Sequence, residues 1–237
     1  MIGVYILSFL LITADEVIKK VDSQAIPTSS ESSVKMIIKK GGDVRERKMI
    51  VYTKSDGDIR YSVSKFLDPA DVRGTQFLQI SKKDETLQFL FLPSLNKSRR
   101  IAGGQKKTSF MGSELTYEDM ERKKIEDYEY KLIREDENLY VVESTPKKGV
   151  DSQYSKAVFY VRKDDYAVLK TELYKDGKLF KVIENEITKV DGKYNIPTRT
   201  YVKNLENGNE TELIIENIKV DIKVQDKYFS PDFLGKW

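Results

Sequence analysis

From Val34 onward, apolar side chains recur at every second position. The runs that carry them are separated by turn signals and not by helices. Val34, Met36 and Ile38 alternate with Lys35 and Lys39, and Met49 and Val51 with Lys48 and Lys54. Ile59, Tyr61 and Val63 alternate with Arg60, Ser62 and Ser64. A period of two sends successive side chains to opposite faces of a strand. Further strand-like runs lie at 75–81, 85–92, 128–134, 138–144, 157–162, 166–175, 178–190, 193–203 and 210–220. Lys-Ser-Asp-Gly (54–57), Lys-Asp-Gly (175–177), Asp-Gly-Lys (191–193) and Glu-Asn-Gly-Asn (206–209) read as hairpin turns between them. Hairpins in succession give an antiparallel meander. About a dozen strands in one sheet do not stay flat, so a barrel or a deep half-barrel is expected. Such a sheet encloses a space that is filled either by side chains or by a ligand.

Three segments depart from the pattern. Residues 2–12 are an apolar run too short to span a bilayer but matching a secretory signal, with Ala14 as the small residue for cleavage. No Lys or Arg precedes the run, and a buried helix is the alternative reading. Residues 1–14 are therefore expected to be an export signal, and 15–237 one domain. Ala14, Val17, Ile18 and Val21 then mark one face of a short helix, and 27–33 reads as a loop. The third departure, 95–124, is rich in Gly and charge, and Thr116 with Asp119 is spaced to cap a helix of one or two turns. This segment and the N-terminal helix are the natural covers of a curved sheet.

Composition narrows the chemistry. The chain has no His and no Cys. That removes Ser-His-Asp and Cys-His nucleophile systems, His- or Cys-ligated zinc, and disulfides. Acid–base work would fall to Asp, Glu, Tyr or Lys. A formal net charge of +3 is too mild to argue for nucleic acid.

FLDPADVRGTQFL (66–78) admits three readings. One Gly ahead of a strand is poor material for a phosphate cradle, which needs several Gly and a following helix. Asp68 and Asp71 could form a catalytic pair. The plainer reading is a corner, in which Pro69 fixes φ, Gly74 permits a tight approach and Arg73 pairs with a carboxylate. ETLQFLFLPSL (85–95) is apolar on both faces, with Leu87, Phe89 and Phe91 on one and Leu90 and Leu92 on the other. It is therefore covered on both sides, as a core strand or with one face on a greasy cavity. The basic run Lys97, Arg99, Arg100, Lys106 and Lys107 has no acidic residue between Leu95 and Glu114. It reads as a solvated loop or as a contact for anionic groups. Phe110 and Met111 suit either a lid tip or an ordinary core anchor. The acids at 114–121 lack calcium-loop spacing, so no metal is expected.

DPADVRGTQFL, FLFLPSLNKSRRI and SFMGSELTYEDM, in this order and spacing, resemble the LolA-like outer-membrane lipoprotein-sorting family, as does the closing YFSPDFL (228–234). The resemblance covers most of the chain after residue 14. It implies an unclosed antiparallel β-barrel with helices across its mouth and an apolar cavity. It also implies a soluble periplasmic carrier of lipoprotein acyl chains or other lipids, working without chemistry and without a cofactor. Its partners would be an inner-membrane transporter and an outer-membrane acceptor. With no Cys to lipidate, the chain looks like the carrier and not the anchored receptor. On this reading Leu78, Phe89, Phe91, Phe110 and Met111 are expected in the cavity or lid, and Arg73, Arg99 and Arg100 at the lid or a headgroup. The alternatives are a non-enzymatic envelope interaction module with a self-filled core, or a carboxylate enzyme.

Overall fold

The structure is a computed structural model that describes residues 12–237. The segment 1–11, on which the export reading rests, lies outside the described residues. One helix, α1 (Ala14–Asp22), precedes thirteen strands. These are β1 (Ser29–Lys40), β2 (Asp43–Asp56), β3 (Ile59–Asp68), β4 (Gln76–Ser81), β5 (Thr86–Leu92), β6 (Lys97–Ile101) and β7 (Tyr128–Glu135). They continue as β8 (Leu139–Pro146), β9 (Lys156–Arg162), β10 (Val168–Lys175), β11 (Lys178–Val190), β12 (Tyr194–Asn204) and β13 (Glu210–Val220). All belong to one antiparallel sheet of order β6-β5-β4-β3-β2-β1-β13-β12-β11-β10-β9-β8-β7. Strands pair with their neighbours in sequence except that β6 and β7 do not meet, and at the centre β1 pairs with β13. The sheet is not closed, and β6 and β7 are its edges. The fold is thus mainly β, an unclosed half-barrel with an N-terminal helix.

Three details differ from the sequence reading. The 27–33 loop is already strand from Ser29, because Ser30 bonds Thr53 and Ser29 bonds the Ile222 carbonyl across the sheet. Lys97–Ile101 is a strand, β6, paired to β5 despite its charge. The capped helix after Thr116 shrinks to one 3-10 turn, Glu118–Met120. Its cap still forms: the Thr116 amide donates to Asp119 Oδ2 at 2.8 Å and the Asp119 amide to Thr116 Oγ1 at 3.2 Å.

Edge strands β6 and β7 are consecutive in sequence, so residues 102–127 must travel from one edge to the other. They do so as a strap across the concave face. Phe77 and Leu90 on that face, with Phe66, Met36 and Ile101, enclose Phe110 and Tyr117 of the strap. The Phe110 ring centroid lies 5.0 Å from Phe77 and 5.6 Å from Tyr117. Helix α1 covers the other half of the same face. Its capping box, Thr13 with Glu16, fixes its start, and Val17 and Ile18 pack on Val142 and Val161.

The convex face of β3–β5 is covered by the C-terminal segment. Leu78 and Phe91 pack there with Val63, Phe229 and Leu234. Gly235 closes this cover at φ +85°, and a Cβ on it would stand 2.5 Å from the Phe91 ring. Gly235→Ala is expected to cost about 1–3 kcal/mol from overpacking and to lift the tail. Trp237, the one tryptophan of the chain, packs at a tilt against Tyr52 and Tyr228, so its fluorescence reports the displacement.

Candidate functional site

Where the strap leaves the filled half of the concave face, packing stops being complete. A cleft of about 380 Å³ lies between α1, strap residues 118–125 and the concave side of β7–β10 and β11. Its wall is apolar, made by Ile18, Ile125, Phe159, Val168, Leu173 and Ile183. Strand alternation sends Phe159 and Leu173 inward while Tyr160 and Glu172, next to them in sequence, pair on the convex side. Tyr128 and Tyr130 also line the cleft, and burial, with Glu118 next, pushes the Tyr128 hydroxyl up to about 12.

One lip of the cleft is polar. Arg122 of the strap grips the Asp22 carboxylate at the end of α1 with two bonds, 3.1 and 2.7 Å, and donates to the Asp58 carbonyl at 3.1 Å. Arg60 on β3 donates to the Asp22 carbonyl at 3.0 Å. Burial, and then Arg122 beside it, pull the Arg60 guanidinium below its ordinary value. One aspartate therefore joins α1, the strap and the sheet.

Deeper in, the strap is fastened by buried charges. Lys181 and Asp119 meet at 2.6 Å with side chains 1% exposed. The Tyr154 hydroxyl donates to Asp119 at 2.6 Å and accepts from Lys181 at 3.0 Å. Burial first, then Asp119, drives that hydroxyl's pKa far up. Glu118 accepts from Ser152 at 2.5 Å and from the Gln153 amide at 3.2 Å. Further along, Glu114 takes Lys40 at 3.0 Å and Asn204 at 2.9 Å. Burial opposes ionisation of Glu114, but Asn204, Lys40 and Asn209 together hold its carboxyl below the usual range. Arg47 donates to the Met111 carbonyl, and Gln88 and Gln79 to the Tyr117 and Met120 carbonyls at 2.8 Å each.

These carboxylates have their oxygens engaged by hydrogen bonds, an arrangement that holds a segment in place. Among the described residues no group of three or more His, Cys, Asp or Glu is placed to hold a metal ion. What the cleft offers is apolar surface with a polar mouth, the chemistry of an amphiphile site.

None of the eight residues expected at the site lines this cleft. Leu78, Phe89 and Phe91 lie on the convex face under the C-terminal segment. Phe110 belongs to the strap but fills the other half of the concave face, with Met111 packed against the same cluster. Arg73 donates to the Leu67 carbonyl at 3.0 Å and to Asp68 at 3.3 Å, bracing the corner. Asp68 is thereby a corner residue, and the loop of 69–75 closes on itself through Gly74 N–H to the Phe66 carbonyl at 2.8 Å. Arg99 is exposed on β6, and Arg100 faces Glu85 at 3.9 Å. Sequence reasoning missed Lys181, Tyr154 and the β7–β11 wall. Lys181 did carry a signal, since it shares a strand face with Ile183, where an unpaired ammonium would be costly.

A family model described as "Uncharacterized protein" matches residues 58–236. The chain is similar to the crystal structure of a DUF1329 family protein from Desulfovibrio piger, with 31% identity and a TM-score of 0.87 over 93% of this chain and 97% of that one. It is similar to a putative outer membrane lipoprotein-sorting protein domain from Vibrio parahaemolyticus, with 27% identity and a TM-score of 0.87 over 94% and 98%. A LolA superfamily protein from Nitrosomonas europaea shares the fold at 23% identity, with a TM-score of 0.69 over 94% and 100%. No curated protein matches the sequence.

Proposed function

The chain belongs to the LolA-like outer-membrane lipoprotein-sorting family, and on that premise we propose that it is a non-enzymatic carrier. It receives the acyl chains of lipoproteins or of other lipids in the cleft beneath α1 and the strap. The observation that carries this reading is the unfilled apolar wall of β7–β11 in a sheet whose other half is packed solid. An acyl chain laid on that wall gains about 0.8 kcal/mol per CH₂ removed from water. Helix α1 and the strap are the elements that must yield for entry and release, and Asp22 is their shared tie. The carrier works in the periplasm, between an inner-membrane transporter and an outer-membrane acceptor.

Uptake of a fluorescent fatty acid tests the reading directly. Ala157 lines the cleft, and Ala157→Phe fills part of it. The wild type is expected to bind, and the variant to bind about tenfold more weakly, a loss of about 1.4 kcal/mol, with little change in melting temperature. Absence of uptake by the wild type, together with repeated recovery of the protein free of lipid in native mass spectrometry, would sink the proposal.

A further inference from the structure

Five of the seven exposed large apolar side chains among the described residues stand at one end of the half-barrel, the end where β1 and β3 finish and β2 begins. Val44, Leu67, Leu95, Leu179 and Leu205 each belong to a different turn or strand end there. The first three are consecutive along the rim and are 65%, 46% and 63% exposed. The corner that follows Leu67 touches the turn that carries Leu95, because a Cβ on Gly74 would lie 3.1 Å from Pro93. Beside them stand Arg45, Lys97 and Arg99, which form no ion pair within 4 Å among the described residues, and Arg73, whose partner is the exposed Asp68. Asp43, Asp71, Asp176 and Glu206 are exposed acids at this end, but from Asn96 to Ser113 there is none.

We propose that this rim is a docking surface for an anionic lipid bilayer. The apolar groups project singly from separate turns and strand ends. A fluid interface accepts such scattered projections without a matching surface, and a folded protein partner would have to supply a pocket for each. The flanking guanidinium and ammonium groups then meet lipid phosphates, each worth about 1 kcal/mol near an anionic surface. Shallow insertion of a few apolar side chains plus that attraction gives reversible attachment and not anchoring. For a carrier this sets the molecule against the membrane without spending the cleft. The inference deepens the carrier reading and rests on it for its purpose, although none of these rim residues lines the cleft.

Vesicle flotation tests it, with phosphatidylethanolamine vesicles prepared with and without phosphatidylglycerol. The wild type is expected to float with the anionic vesicles and to be released by added salt. Leu67→Asp/Leu95→Asp and Lys97→Glu/Arg99→Glu are each expected to weaken flotation by about tenfold or more, on the per-charge figure above. All four positions are exposed, so melting temperature and fluorescent fatty-acid uptake should stay at wild-type values, which separates failure of this surface from failure of the cleft. Flotation of either double variant at the wild-type level overturns the proposal. So does a wild type that stays with the soluble fraction, or one that binds only when a membrane protein is reconstituted into the vesicles.

Discussion

Lys181→Met lowers folding stability by about 3–5 kcal/mol in chemical denaturation, the cost of leaving one member of a buried ion pair alone. Lys181 and Asp119 are both fully enclosed, so the remaining carboxylate has no water to turn to. Tyr154 and the Thr116 amide still donate to it, which places the loss within that range and not beyond. The double variant Lys181→Met/Asp119→Leu should recover a large part of the loss, because the desolvated charge is gone. It should not recover all, because the Tyr154 hydroxyl and the Thr116 amide then lack an acceptor. If the single variant is as stable as wild type, the strap is held by its apolar contacts and the ion pair is incidental. If the double variant is no better than the single, the strap needs this pair for its geometry. The strap would then be an element specified by polar contacts and not by burial.

Leu78→Ala is expected to cost about 2–5 kcal/mol, the usual toll for emptying a closed core site. Leu78 is 0% exposed and sits between Val63 and the C-terminal segment. At temperatures where the variant stays folded, its uptake of fluorescent fatty acid should equal that of the wild type, because the cleft lies on the other face of the sheet. Uptake that falls tenfold with Leu78→Ala while stability is kept would return this residue to the ligand and require the C-terminal segment to move aside. The contrast with Ala157→Phe, which should spare stability and lose uptake, makes the two halves of the sheet separable by experiment.

The strand pattern was legible because alternation and hairpin turns are local properties, and the strands pair mostly with their sequence neighbours. The two-sided burial of β5 was legible for the same reason: Phe89 and Phe91 leave no polar face on one side, nor Leu90 and Leu92 on the other. Which cover lies on which face was not legible. Phe91 and Leu90 are adjacent, yet one meets Leu234 at the chain's end and the other joins the cluster around Phe110. That assignment depends on long-range packing, and a shift of one residue exchanges the two sets. The richest apolar sequence therefore drew attention to the half of the molecule that is full. The cleft is lined by strands that read as ordinary amphipathic ones, and it exists because fewer side chains reach into it. Absence of filling leaves no mark in a sequence.

The junction of β1 with β13 has a consequence for how the molecule assembles. Ser30 stands opposite Val220, so the middle of the sheet joins the two ends of the described chain. The β1–β6 and β7–β13 meanders are each built of local pairings that close short loops. Their union must wait for a contact of very long sequence separation, whose entropy is recovered only after both sides exist. Until then two central strands present unpaired backbone along their whole length. The most protected part of the finished sheet is thus the part most exposed to mispairing while it forms.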